Sequence, residues 1–202
     1  MSLNKFPRLE KTDLKTLNTA LLFFHVSELK ELALNLGLPD DGKKGAIIDR
    51  ILYFIETDAI KHSPKIPAIS RAQRGKKYPL QATTLILKGS YKNDLATRKF
   101  FKTLIGEHFH YTAYGIDWIN EHWLAGNPPT YQEFANFWQQ EYERRKIVKA
   151  QPKQEWAYIN FTQKFLERDP RSSKEAILEA WERERSKQVN IAQKILSKIN
   201  FN

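Results

Sequence analysis

Apolar residues recur at helical spacing through most of the chain. Leu29, Leu32, Ala33 and Leu36 fall at i, i+3, i+4 and i+7, one stripe on one face of a helix. Ser27 stands where an N-cap belongs, and Glu28 and Glu31 lie in the first turn, where carboxylates suit the helix dipole. Gly37 supplies a left-handed residue to end this helix, and Pro39 prevents its resumption. A second stripe follows in Ile48, Ile51, Leu52 and Ile55, with Ile47 beside it and Asp41 placed to cap it. Two short helices with facing stripes predict a hairpin over Val26 to Glu56. Upstream, an arm from Phe6 to Lys11 leads at about Asp13 into a helical pattern of Leu14, Leu17, Leu21, Leu22 and Phe24. That segment is expected to pack on the hairpin, because so short a hairpin buries little surface alone.

From residue 60 the period is lost. Pro64, Pro67 and Pro79 interrupt it, and Lys61, Lys65, Arg71, Arg74, Lys76 and Lys77 occur with no acid among them, which predicts a basic linker over 60–79. Thr83 to Lys88 is a β-branched and apolar run, a strand or an extended docking segment. Asn93 is expected to cap a helix through Ile105 with Phe100, Phe101, Leu104 and Ile105 on one face, Arg98, Lys99 and Lys102 on much of the other, and Gly106 as its stop. A further helix runs from Thr112 or Tyr114 to Trp123 and is broken by Asn127-Pro128-Pro129. Thr130 with Glu133 forms a capping box before Phe134, Phe137 and Trp138. The last third repeats the theme with Trp156, Ile159, Phe161, Phe165 and Leu166, then Ser172 with Glu175 as a box before Ile177, Leu178 and Trp181. Val189, Ala192, Ile195, Leu196 and Ile199 close the chain as a clean stripe that needs a partner surface, in its own core or on another subunit.

The expected fold is therefore mainly α: an N-terminal helix-loop-helix module at 1–59, the linker at 60–79, and a helical module at 80–202, with a core at 80–149 and C-terminal helices at 150–202. Composition agrees, since 202 residues with 41% hydrophobic and 12% aromatic content suffice for a packed core. Thirty-three Lys and Arg against twenty-three Asp and Glu give +10, which favours a polyanionic partner, nucleic acid or an anionic membrane surface. The absence of cysteine excludes disulfides and thiolate sites. The N-terminal sequence has no apolar signal region, and no run reaches the roughly 18 apolar residues of a spanning helix. A cytoplasmic protein without a membrane role is expected.

The charge has one pointed location. Lys43 and Lys44 open the second helix of the hairpin, where the dipole disfavours cations by about 0.3–1 kcal/mol each. Helix stability alone does not select them. Free N–H groups at a helix start, two ammonium groups and Gly42 make a phosphate site, with a merely solvated face as the plain alternative. The order apolar, x, x, Leu-Lys-x-Leu, then Gly37-Leu38-Pro39, then Gly42-Lys43-Lys44, an apolar pair, an acid and Arg50 resembles the SAP module of chromatin and repair proteins. The resemblance implies contact with duplex DNA through Gly42, Lys43, Lys44 and Arg50; the sequence departs from the pattern at Asp40, Asp41 and Gly45. Tyr91 to Trp138 resembles a companion segment that follows SAP-like segments in some bacterial proteins, which implies the modular layout, a bacterial origin and no particular activity. Lys76 and Lys77, with the other linker cations, are placed to lie along a phosphate backbone.

Enzyme chemistry leaves no signature. His108 and His110 alternate as metal ligands do on a strand, but no third ligand stands at a telling spacing, and their aromatic neighbours favour a structural role. Neither a Gly-rich phosphate loop, a nucleophile elbow nor an HExxH motif is present, so no catalytic residue, cofactor or metal is expected. The tryptophans and phenylalanines could stack on bases, yet at helical spacing they read as core. The expectation is sequence-tolerant duplex DNA binding, nucleoid-associated, with a protein partner or a second copy held through the C-terminal helices. Its rival is a protein-interaction or structural adaptor whose basic charge serves solubility, and RNA binding is a third possibility.

Overall fold

A computed structural model describes residues 9–148 and 152–199; Phe6 to Arg8 of the expected arm lie outside them. The described residues are mainly helical: α1 (Lys11–Leu21), α2 (Val26–Asn35), α3 (Lys44–Thr57), α4 (Leu95–Ile105), α5 (Ala113–Leu124), α6 (Tyr131–Ile147), α7 (Ala157–Arg168) and α8 (Lys174–Leu196), with a 3₁₀ turn at Ala68–Ser70. The chain divides into two compact units, Met1–Ser63 with Gln151–Asn202, and Pro64–Ala150.

In the first unit the hairpin forms as its pattern dictates. Leu29 and Ala33 of α2 are buried with Ile47, Ile48, Ile51 and Ile55 of α3. Gly37, at φ +70°, ends α2 in a Schellman motif: its N–H donates to Leu34 O and the Leu38 N–H donates to Ala33 O, each at 2.9 Å. Both starts differ from expectation by two residues. His25, not Ser27, precedes α2, and its N–H donates to the Glu28 carboxylate at 2.6 Å. Lys43, not Asp41, precedes α3.

The modular division differs more. The terminal stripe of α8 packs along α1, where Ala192, Ile195, Leu196 and Ile199 are buried with Leu17, Ala20 and Leu21, so residues 80–202 are not one module. The reason is surface: α1 to α3 are too small to enclose their own apolar faces, and the end of α8 supplies the missing apolar face. Lys198 donates to Asp13 at 2.6 Å across the same seam. Of the two partners left open for this stripe, its own core or another subunit, the fold supplies the first.

The second unit encloses Phe101, Ile119, Trp123, Phe134 and Trp138 from α4, α5 and α6. Thr83 to Lys88 is an extended docking segment, not a strand of a sheet. The Ile86 N–H donates to Pro129 O at 2.7 Å, the Tyr131 N–H to Thr84 O at 3.1 Å, and the buried Trp123 indole N–H to Ile86 O at 2.7 Å. Residues 64–79 are not a spacer either. Ser70 is fully buried, and Ile66 and Leu80 pack against the core. Arg71 and Lys88 are paired in a parallel bridge: the Ala72 N–H donates to Lys88 O and the Lys88 N–H to Ser70 O, at 2.9 and 2.8 Å. Each buried backbone group that finds a partner avoids a desolvation cost, which is what a proline-punctuated segment gains by folding back. Asp94, not Asn93, caps α4 by accepting the Thr97 N–H; the Thr130–Glu133 box caps α6 as expected, and Thr112, one of two expected starts, caps α5. Ser173, one residue beyond expectation, caps α8.

Candidate nucleic-acid interface

The residues expected to carry DNA binding are distributed among different tasks. Arg50 is 2% exposed. Its guanidinium donates to the carbonyls of Pro39, Asp41 (3.0 Å) and Lys61 (3.1 Å) and to Ser63 Oγ (2.6 Å), with an Asp41 carboxylate oxygen at 3.3 Å. Ser63 Oγ donates in turn to that carboxylate at 2.9 Å. A planar fork of donors suits this work, tying the loop before α3 to the segment after it. Arg50 is thereby withheld from a phosphate, contrary to the expectation.

Lys44 is half-buried, and its ammonium donates to Leu22 O at 2.6 Å. That carbonyl closes α1, so the cation sits at a helix C-terminus, where the dipole favours it. Burial pushes the Lys44 pKa below its ordinary value, while Glu28 and Glu155 act to raise it. Glu155 also stands beside Gly45, in the first turn of α3, where a Cβ on that glycine would lie 3.6 Å from the carboxylate. A carboxylate therefore already occupies the neighbourhood of the α3 N-terminus. Glu28 loses some charge stability to burial, but bonds from Arg185 and the His25 N–H prevail and hold its pKa below the usual range. Of the resemblance-derived set, Gly42 and Lys43 remain exposed at the loop, Gly42 at φ +103°. Asp40 pairs with Lys30 at 3.7 Å.

Lys76 and Lys77 fall in the second unit and are exposed, Lys76 lying 5.8 Å from the centre of the Tyr78 ring. They belong to a longer basic run that extends from the expected linker into α4. From Lys65 to Lys102 there are ten Lys and Arg, with Asp94 as the single acid. Nine of the ten are exposed: Lys65, Arg71, Arg74, Lys76, Lys77, Lys88, Lys92, Arg98 and Lys99. The second unit holds fourteen basic and seven acidic residues, a net +7, against nineteen and sixteen, a net +3, in the first. Arg71 and Lys88 are brought together by their bridge, and Arg98 and Lys99 lie on exposed turns of α4. Lys102 is partnered by Glu107 at 2.6 Å. The total charge was legible in the sequence; its partition was not, because only the fold shows that 64–79 joins 80–148.

Some other charged and aromatic groups are engaged with one another. At the end of α6, Arg144 and Arg145 both donate to Glu141, whose pKa falls to about 2 because the Arg144 bond outweighs its partial burial, with Arg145 adding to the effect. His108 rests 5.1 Å from the Tyr142 ring and 5.6 Å from Trp138. Among the described residues, no three His, Asp or Glu gather as a metal site would require, and no helix is long and apolar enough to cross a membrane.

Among the cavities lined by described residues are two that each hold a lysine. One, of about 410 Å³, is set in the first unit among Phe23, Lys44, Glu155, Trp156, Tyr158 and Trp181, with Phe23 and Trp181 stacked at 5.2 Å. The other, of about 310 Å³, is set in the second unit among Lys88, Tyr91, Asn93, Ile116, Ile119, Asn120 and Trp123.

Compared with family models, curated proteins and solved structures, the chain matches none of them.

Proposed function

We propose that the protein binds nucleic acid, duplex DNA foremost, chiefly through the second unit, with the Gly42-Lys43 loop of the first unit as a subsidiary contact. The observation that carries this reading is the concentration of charge: a net +7 on residues 64–150, nine exposed cations between Lys65 and Lys99, and a single acid among them. Uneven charge of this kind is the electrostatic footprint of a phosphate-binding surface, whereas charge kept for solubility gains nothing from being gathered. The residue order of Val26 to Glu56 resembles the SAP module, which supports DNA over RNA. Cytoplasmic, nucleoid-associated residence follows from the same reading.

The test is binding of a labelled duplex to the full chain and to the variant Lys92→Glu/Arg98→Glu/Lys99→Glu at two salt concentrations. The variant is expected to melt like the parent and to lose most duplex binding at moderate salt. Parental affinity in the variant removes Lys92, Arg98 and Lys99 from the interface, and parental affinity after Arg74→Ala/Lys76→Ala/Lys77→Ala as well would overturn the reading.

A protein-contact role for the first unit is the second reading. Ile159 and Leu166, two turns apart on α7, are 44% and 37% exposed, and Leu178 on α8 is 41% exposed. Pull-down of partners by the parent but not by Ile159→Ser/Leu166→Ser supports it.

A further inference from the structure

The smaller cavity lies within the basic unit and has a chemical character of its own. Its floor is fixed: Ile119 and Trp123 are 1% and 5% exposed, and the Trp123 indole N–H is anchored on Ile86 O. Tyr91 meets the Trp123 ring edge-on, with centroids 6.3 Å apart. About 310 Å³ falls within the roughly 300–1,000 Å³ of sites that hold small molecules.

Two carboxamides, Asn93 and Asn120, line it, and no carboxylate does. Asn120 donates one N–H to Ile116 O at 2.7 Å, which fixes its plane and leaves its Oδ1 and second N–H to a ligand. A carboxamide sets an acceptor beside a donor, the arrangement that pairs with the edge of a nucleobase. The one charged group in the lining is Lys88, whose ammonium lies 5.3 Å from the centre of the Trp123 ring. Apolar floor, aromatic wall, paired amides and one cation call for a flat, neutral, hydrogen-bonding ring joined to an anion.

We propose that this cavity takes one unpaired nucleobase of a bound strand, with Asn93 and Asn120 on its edge, Tyr91 and Trp123 against its ring, and Lys88 on the adjoining phosphate. The proposal rests on the nucleic-acid reading and adds to it a preference for strands with an extruded or unpaired nucleotide. Every duplex base is paired and stacked, so a protein that houses a base is selective for sites where unstacking costs least, such as bulges, mismatches and ends.

The probes are a fully paired duplex, the same duplex with one bulged 2-aminopurine, and free 2-aminopurine nucleoside monophosphate. The full-length parent is expected to bind the bulged duplex more tightly than the paired one, with a change in 2-aminopurine emission. Ile116→Trp, which fills the cavity, and the milder Asn93→Ala/Asn120→Ala, which keeps its walls, should each lose about tenfold in affinity for the bulged duplex and little for the paired one. Should the parent bind neither duplex, the functional reading falls and this proposal with it. If the parent binds both equally, or if the variants lose affinity for neither or for both alike, only the base pocket is overturned. Binding of the free nucleotide without any preference for the bulge also overturns the strand as its source.

Discussion

The guanidinium of Arg50 lies 3.0 Å from the Asp41 carbonyl and 3.3 Å from the Asp41 carboxylate, inside a loop whose Pro39 carbonyl also accepts from it. An arginine that the residue order resembling a SAP module assigns to DNA is, by this geometry, the brace of the hairpin. Arg50→Ala leaves the Pro39, Asp41 and Lys61 carbonyls without their donor and is expected to cost about 3–5 kcal/mol of stability. Arg50→Lys should recover only part of this, since one ammonium cannot reach all of these acceptors. Denaturant titration of the two variants checks it; an alanine variant as stable as the parent would return Arg50 to the list of DNA contacts.

The seam between α1 and α8 predicts which pieces fold alone. Residues 64–150 contain their own core and should melt cooperatively as a fragment, whereas residues 1–63 lack the faces of Ala192, Ile195 and Ile199 and should be poorly helical by circular dichroism. Adding a fragment of residues 152–202 should restore helicity to 1–63. Full helicity of 1–63 alone would mean that the α8 contact is dispensable.

Tyr91 carries a buried hydroxyl with no hydrogen-bond partner among the described residues, and burial pushes its pKa well above the ordinary value. A buried donor left unpaired costs about 1–3 kcal/mol. Tyr91→Phe is therefore expected to leave thermal stability unchanged or to raise it, read as the midpoint of unfolding. A clear fall in the midpoint would reveal a partner for the hydroxyl.

Acid should act on α6. The folded pKa of Glu141 is about 2, below its unfolded value, because Arg144 and Arg145 bond to the charged form. A depressed carboxylate contributes stability that is fully present above the unfolded pKa of about 4.3 and is lost as pH falls through the folded one. Glu141→Gln should consequently be less stable than the parent at neutral pH, by a small amount because Arg144 is half-exposed, and should converge with it towards pH 2. A difference that persists unchanged at pH 2 would point to packing as its origin.

These outcomes trace to what local pattern encodes. Helix existence was legible because stripes such as Ile48, Ile51 and Ile55 encode it within a few turns, and Gly37 ended α2 where its left-handed conformation requires. Caps slipped by a residue or two at Ser27, Asn93 and Ser172, since several adjacent residues there are able to cap and tertiary contacts choose among them. The association of α8 with α1 was illegible, because an apolar stripe states that it needs a partner without saying which one. Lys44 and Arg50 misled for a related reason: a cation near a helix start reads alike whether it meets a phosphate or, as here, the carbonyls of Leu22, Pro39, Asp41 and Lys61.

The salt dependence of binding separates the two basic surfaces. Each phosphate neutralised on B-DNA contributes about −0.9 to the slope of log K against log salt, so the slope counts contacts whatever the affinity. Arg74, Lys76 and Lys77 are exposed and lie in one short segment of the second unit. If all three meet phosphates, Arg74→Ala/Lys76→Ala/Lys77→Ala should flatten the slope by about 2.7, while Lys43→Ala should flatten it by no more than about 0.9. Lys44→Ala is expected to change the slope least, its ammonium being committed to Leu22 O, and to show instead as a lower melting temperature. A slope that responds to Lys43 and Lys44 but ignores the triple variant would put the DNA on the hairpin and leave the charge of the second unit to another purpose.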